Sequence, residues 1–511
     1  SHYDAVFLGA GFESLLSAAL LAKRGFRVLV LGQGERPPRY EAAGRVWPRR
    51  AHTFLAAPSP IARTVLSELA LHQAFRRRAN AIDPAFQFVA PGVRFDLALD
   101  GPTLDREIDR ELRPVKRAVQ DFHRACGEHA EDLDRIVERD LMWPPETFFE
   151  RRELARATTG QAFGRNGDGK DLFAEFPERH TFRLLVDAAT RFATRMDPQQ
   201  IPPIAIARLY GSWLRGAVKL EGGEGWFHSA LIEKLETYSG EFRTRGSAEA
   251  IVIRRGVATG VRLAGTNEEV GAGFVVAGIE VAGLLPLLPD RASLGQLFER
   301  TGEPTPRWFR YTLNLVVRAH AVPAGMARDV FSLRDPLRAP TEANLLRVET
   351  HPVEESEDGP TRLITVEALL PRRGVEEIVG YIGAMRERLL AALGDLIPFL
   401  GDHVLYIDSP HDGRDVQDVA RGRLIPPEQP WSRGPRTMQA SHGYPVRGAL
   451  GICAMPTRTP IRKLLLCNGQ VVPALGDEGA FLTAWSVARL VTKSDRRKEW
   501  MRRGLWTKVE T

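Results

Sequence analysis

The chain has 511 residues, 43% hydrophobic and 26% charged, which excludes a disordered or membrane-embedded protein and calls for two or three substructures. Its net charge of +6 is concentrated near the C-terminus, where residues 493–508 hold seven basic and two acidic side chains, so no basic stripe elsewhere suggests a nucleic-acid partner. Residues 274–288, the longest apolar candidate, are interrupted by Gly278, Glu280, Gly283 and Pro286; Cys126, Cys453 and Cys467 lack metal-ligand spacing, and no leader pattern opens the chain, so a cytoplasmic protein with reduced thiols is expected.

The first predicted elements are strand, glycine turn, helix and strand. Ala5-Val6-Phe7-Leu8 reads as a buried strand, Gly9-Ala10-Gly11 as the turn, Leu15 to Lys23 as the helix, and Arg27 to Leu31 as the parallel neighbour. Glycines in this setting let a pyrophosphate approach the helix N-terminus closely. The pattern is incomplete. Ser14 stands where a third glycine is usual, and Glu13 puts a carboxylate beside the first helical turn, where it would repel a pyrophosphate unless it faced solvent. The second strand ends Leu31-Gly32-Gln33-Gly34-Glu35, without the acid that normally accepts from the ribose; Gln33 and Glu35 are displaced substitutes.

Residues 104–196 read as largely helical, with Ile108, Leu112, Val115, Val119 and Phe122 at helix spacing. From Lys219 follow a glycine-rich turn, a helix with Leu231, Ile232 and Leu235 on one face, a strand at 241–245, a hairpin turning at Arg255-Gly256, a buried strand at 274–277 and a helix at 280–285. Strand-like runs at 309–318, 345–350, 362–369 and 403–407 predict a mixed or antiparallel sheet, two of them joined by an acidic loop at 354–360 read as a solvated turn. Near the C-terminus come a strand at 464–467, a glycine-containing loop and a helix at 479–491.

These blocks, above all Gly240 to Leu263 followed by Phe274-Val275-Val276-Ala277-Gly278-Ile279-Glu280, resemble the phytoene desaturase and amine oxidase branch of the FAD-dependent oxidoreductases. The resemblance covers roughly two fifths of the chain. It implies an α/β fold: a discontinuous Rossmann-like FAD-binding domain from residues 1–75, 215–300 and 440–492, and an α+β substrate domain from 76–214 and 301–439. It also implies that Gly9, Gly11 and Ser14 carry the pyrophosphate, that the Ala248 backbone recognises adenine, and that Arg45 in Ala43-Gly44-Arg45 stands where a phosphate-binding turn usually lies. Gly469 and the turn Gly476-Asp477-Glu478-Gly479 would border the isoalloxazine ring. There Asp477 and Glu478 oppose the helix field that stabilises a reduced flavin, or else cap the helix. The departures at Glu13, Gly32, Ala43 and this turn predict weakened or lost FAD binding.

Two readings remain open. One is an FAD-dependent oxidoreductase passing a hydride to or from a hydrophobic, isoprenoid or lipid-like substrate in an apolar tunnel. The other is a flavin-free binding or scaffold protein that uses the cleft for a lipid or a protein partner. No catalytic residue is named by the sequence. His228 reads as a cap or packing residue, and Asp408, His411 and Asp412 as a turn. Residues 493–511 form a basic tail with Trp500 and Trp506, which either meet an anionic membrane surface beside the cations or pack back on the domain while the cations stay solvated.

Overall fold

The computed structural model describes residues 2–161 and 171–495. Strand His2–Leu8 is buried almost throughout because both neighbours run parallel to it: Val28–Leu31 on one side and Glu269–Ala277 on the other. Such strands, covered on both faces, read as continuous apolar runs, which is how Ala5-Val6-Phe7-Leu8 and Val28-Leu29-Val30-Leu31 stand in the sequence. Glu241–Arg243 extends the sheet beyond Val28–Leu31. The hairpin Ala248–Arg254 and Val257–Leu263 pairs antiparallel with the start of Glu269–Ala277, and Leu464–Leu466 pairs parallel with its end. Three distant segments thus build one sheet. Helices Phe12–Lys23, Gly223–Thr237 and Asp477–Lys493 meet beside it, with Phe12 packed on Phe227 and Phe481 at ring separations of 4.8 and 6.3 Å.

A second sheet orders its strands Arg423–Ile425, Val416–Asp418, Val404–Asp408, Thr305–Arg318, Gly359–Pro371, Leu345–Ser356, Asp329–Leu333, Gln87–Ala90 and Val93–Asp96, with Gln439–Gly443 also paired to Thr305–Arg318. The fold is therefore the expected α/β class: a Rossmann-like unit assembled from separated segments beside an α+β unit.

Two local expectations change. The helical run beginning near residue 104 is two helices, Gly101–Glu111 and Lys116–Val137, because Pro114 cannot donate to a continuous helix. The acidic loop shrinks to a tight turn: Glu354 and Glu355 are strand residues paired with Thr361 and Pro360. Residues 496–511, and with them most of the basic tail, lie outside the described residues. Among the described residues no helix is long and apolar enough to cross a membrane.

Candidate functional site

A cavity of about 380 Å³ opens beside the glycine turn, lined by strand residues of the second sheet and by the turns and loops that follow strands of the first. The turn has the expected shape. Gly9 takes φ +109°, which favours glycine, and Gly11 is the N-terminal flank of the helix. Ser14 packs beneath it, where Gly278 makes the close approach, since a β-carbon on Gly278 would fall 1.8 Å from Ser14 Oγ.

The chain's own side chains occupy the space a dinucleotide would need, beginning at the turn. A β-carbon on Gly9 would lie 3.1 Å from Glu35 Oε2, and one on Gly11 would lie 3.5 Å from it. The Glu35 carboxylate therefore rests against the glycine turn. Burial pushes its pKa up to about 8; the Glu13 and Glu280 carboxylates add to the rise and the Ala10 and Gly11 amides oppose it. Glu13 does not face solvent. It is 3% exposed and is held by Arg195, with Nη1 to Oε1 at 3.0 Å.

At the adenine end the closure involves backbone. Gly32 N–H donates to the Arg243 carbonyl and Gln33 N–H to the Gly246 carbonyl, each at 3.0 Å, so the segment after strand Glu241–Arg243 is zipped to the end of Val28–Leu31. A β-carbon on Gly32 would lie 2.1 Å from the Thr244 carbonyl oxygen. No ribose-binding acid fits there. The Gln33 side chain does not reach for a ribose: its Nε2 donates to the Ala248 carbonyl and its Oε1 accepts from the Ala248 N–H, both at 2.8 Å. Both backbone groups assigned to adenine recognition are thus taken by a carboxamide of the same chain.

At the far end Arg195 also covers Gly469, where a β-carbon would meet its Nη1 at 2.3 Å. The helix Asp477–Lys493 begins without a side-chain cap, so neither acid caps it. Asp477 Oδ2 instead pairs with His52 Nε2 at 2.7 Å; burial works to raise its pKa, but His52 and then Arg50 outweigh that and hold it below the usual carboxylate range. Glu478 Oε1 pairs with Arg208 Nη2 at 2.7 Å and accepts from Ser59 at 3.0 Å. β-carbons on Gly476 and Gly479 would strike the Ala193 and Val472 carbonyls, each at 2.1 Å, so this chain's own backbone accounts for both glycines.

Arg45 is not a phosphate ligand here. It sits on the short hairpin Arg39–Ala42 and Arg45–Pro48, lines a different cavity, and stacks 4.8 Å from the Tyr406 ring centre. His228 Nε2 lies 3.3 Å from the Ala10 carbonyl, and the residue lines the cavity. Asp408 and Asp412 are buried partners of Arg386, and His411 bonds Thr437 at 2.7 Å and reaches the cavity wall. Sequence reading missed Arg49, Arg195 and Arg310, which line the cavity. They come from three separate elements, and arginine at these positions carries no local pattern.

Tested against FAD, these residues do not fit. The ribose position has no room for an acid, adenine's hydrogen bonds are used, the glycine turn faces two carboxylates, and a guanidinium covers the glycine meant for the ring. The backbone fold, by contrast, is similar to that of solved oxidoreductase and amine oxidase structures. Residues 8–69 match the profile of the NAD(P)-binding Rossmann-like domain. An oxidoreductase from Methanosarcina mazei is 17% identical with a TM-score of 0.57, over 96% of this chain and all of that one. A putrescine oxidase variant redesigned in cofactor binding is 13% identical with a TM-score of 0.56, over 97% of this chain and 99% of its own. Cyclohexylamine oxidase from Brevibacterium oxydans is likewise 13% identical with a TM-score of 0.56, over 96% and 99%. No curated protein matches the sequence.

Proposed function

We propose that this chain is a flavin-free binding protein built on the FAD-oxidoreductase fold, with its nucleotide cleft reshaped to hold a different ligand. The observation that carries the reading is the seam at Gly32, where the Thr244 carbonyl fills the place of the ribose acid and Gln33 takes both hydrogen bonds of Ala248. Side chains alone could swing aside. The seam also needs backbone to separate, breaking the two hydrogen bonds at Gly32 and Gln33. The test is the flavin content of protein expressed with excess riboflavin, read by absorbance and by release on denaturation, followed by titration with FAD. We expect a colourless protein and no saturable uptake; FAD near one equivalent per chain would refute the reading.

A second reading, an FAD-dependent oxidoreductase acting on a hydrophobic, isoprenoid or lipid-like substrate, is supported by the likeness to the oxidases and by the intact Gly9-Ala10-Gly11 turn. It gains no support from the cavity walls. A separate small cavity at the helix start near Asp477 mixes Arg50, His52, Arg195, Arg310 and Arg347 with Leu55, Phe192, Leu209, Trp213 and Phe331, where an apolar tunnel was expected. A yellow preparation would favour this second reading.

A further inference from the structure

The cavity carries a charge imbalance that its own residues do not resolve. Six arginines line it: Arg36, Arg49, Arg50, Arg195, Arg310 and Arg436. Two are paired, Arg50 with Glu224 and Arg195 with Glu13. The other four have no carboxylate within ion-pair distance among the described residues. Arg310 is 6% exposed and donates only to the Phe192 carbonyl. Arg49 is 8% exposed, donates to the Pro37 and Ser432 carbonyls at 2.7 and 2.8 Å, and stacks on Tyr40. Arg36 also bonds carbonyls only, and its buried Nε has no partner. Arg436 is exposed.

The remaining acids offset these four only in part: buried Glu367 attracts Arg310, but it is shared with Arg50 and Arg347. Glu35 retains its proton near neutral pH, with its pKa at about 8; Glu280 contributes a charge but is exposed, beside His442, whose pKa burial lowers. Burial pushes both Arg49 and Arg310 down to about 10, which leaves both charged at pH 7. Buried cations without a counter-charge are costly and are normally paired. A bound anion would supply the missing partner, and guanidinium forks match carboxylate and phosphate oxygens bidentately.

Resting on the flavin-free reading, we propose that this cavity binds a compact organic dianion, a phosphate monoester or a dicarboxylate, held by Arg310 and Arg49 with Arg436 beside them. At about 380 Å³ the space lies at the small end of ligand pockets and suits a compact ligand. The surplus of guanidinium over carboxylate favours two negative charges over one.

The test is calorimetric titration of the colourless protein with inorganic phosphate, glycerol phosphate and succinate, in chloride of matched ionic strength. Saturable binding of at least one dianion is expected, and comparison of the probes separates phosphate from carboxylate recognition. Arg310→Gln and Arg436→Gln should each weaken binding at least tenfold, whereas Arg254→Gln, at a surface ion pair with Glu269, should not. Arg436 is exposed, so that variant keeps the test valid if loss of the buried Arg310 impairs folding. A colourless protein that binds none of the probes, or binds equally when Arg310 and Arg436 are replaced, overturns this proposal alone. A protein that carries FAD overturns the underlying reading and this one together.

Discussion

Replacing Glu35 with glutamine should stabilise the protein, and by an amount that depends on pH. Glu35 is an acid whose folded pKa, about 8, lies above the ordinary 4.5, so the folded state keeps a proton that the unfolded state gives up. For such a group stability falls as pH rises between the two values. Below pH 4.5 both states are protonated and nothing is lost; above pH 8 the loss is complete. At about 1.4 kcal/mol per unit the cost approaches roughly 3 kcal/mol at pH 7. Water reaching the partly exposed side chain screens a share of this, and we expect roughly 2 kcal/mol. Glutamine removes the charge and keeps an oxygen for the Ala10 and Gly11 amides. Thermal unfolding of both proteins from pH 5 to pH 8.5 measures the effect: the melting temperature of Glu35→Gln should exceed that of the parent by a margin that widens with pH. A margin that is constant or narrows would refute the placement of this carboxylate against the glycine turn.

Gly32→Ala should destabilise the fold by about 1–3 kcal/mol through overpacking against Thr244, seen as a lower denaturation midpoint. Gln33→Ala should lose about 1–2 kcal/mol with the two hydrogen bonds to Ala248 and yet gain no flavin, because the backbone seam remains; flavin uptake by this variant would show that the side chain alone closes the site. Glu478→Gln weakens the partner of buried Arg208 and should cost about 3 kcal/mol in chemical denaturation, whereas glutamine at exposed Glu249 should change little.

The Rossmann-like unit was legible in sequence because its signals are local. A buried parallel strand is an unbroken apolar run, and the turn after it must be glycine whichever ligand lies above. The larger sheet was only half visible: Gln87–Ala90 and Val93–Asp96 form a short hairpin and Asp329–Leu333 pairs with Leu345–Ser356 close by, but the hairpin joins the sheet only where Gln87–Ala90 pairs with the distant Asp329–Leu333, a contact set by tertiary packing rather than by pattern. The departures at Glu13 and Gly32 were also plain in the sequence, but their meaning was not. A missing acid at position 32 looks like a simple loss until Thr244 is seen in its place, and the partner that tames Glu13, Arg195, is 182 residues away. For Asp477 and Glu478 the sequence offers an acid beside a flavin or a helix cap, the latter favoured by local statistics; long-range arginine and histidine partners decide otherwise.

The contact between Gly32 and Thr244 also bears on reversibility. Were the space beside position 32 empty, one substitution could place an acid there. Here the Thr244 carbonyl occupies that space, so glycine is required at position 32, and an acid placed there would meet backbone before it met any ribose. Installing an acid would need the loop at residues 243–246 to be remodelled first, at a site where the loop change by itself opens a gap and the acid by itself causes a clash. Each step is unfavourable alone, which makes the present cleft a state that single substitutions do not readily undo.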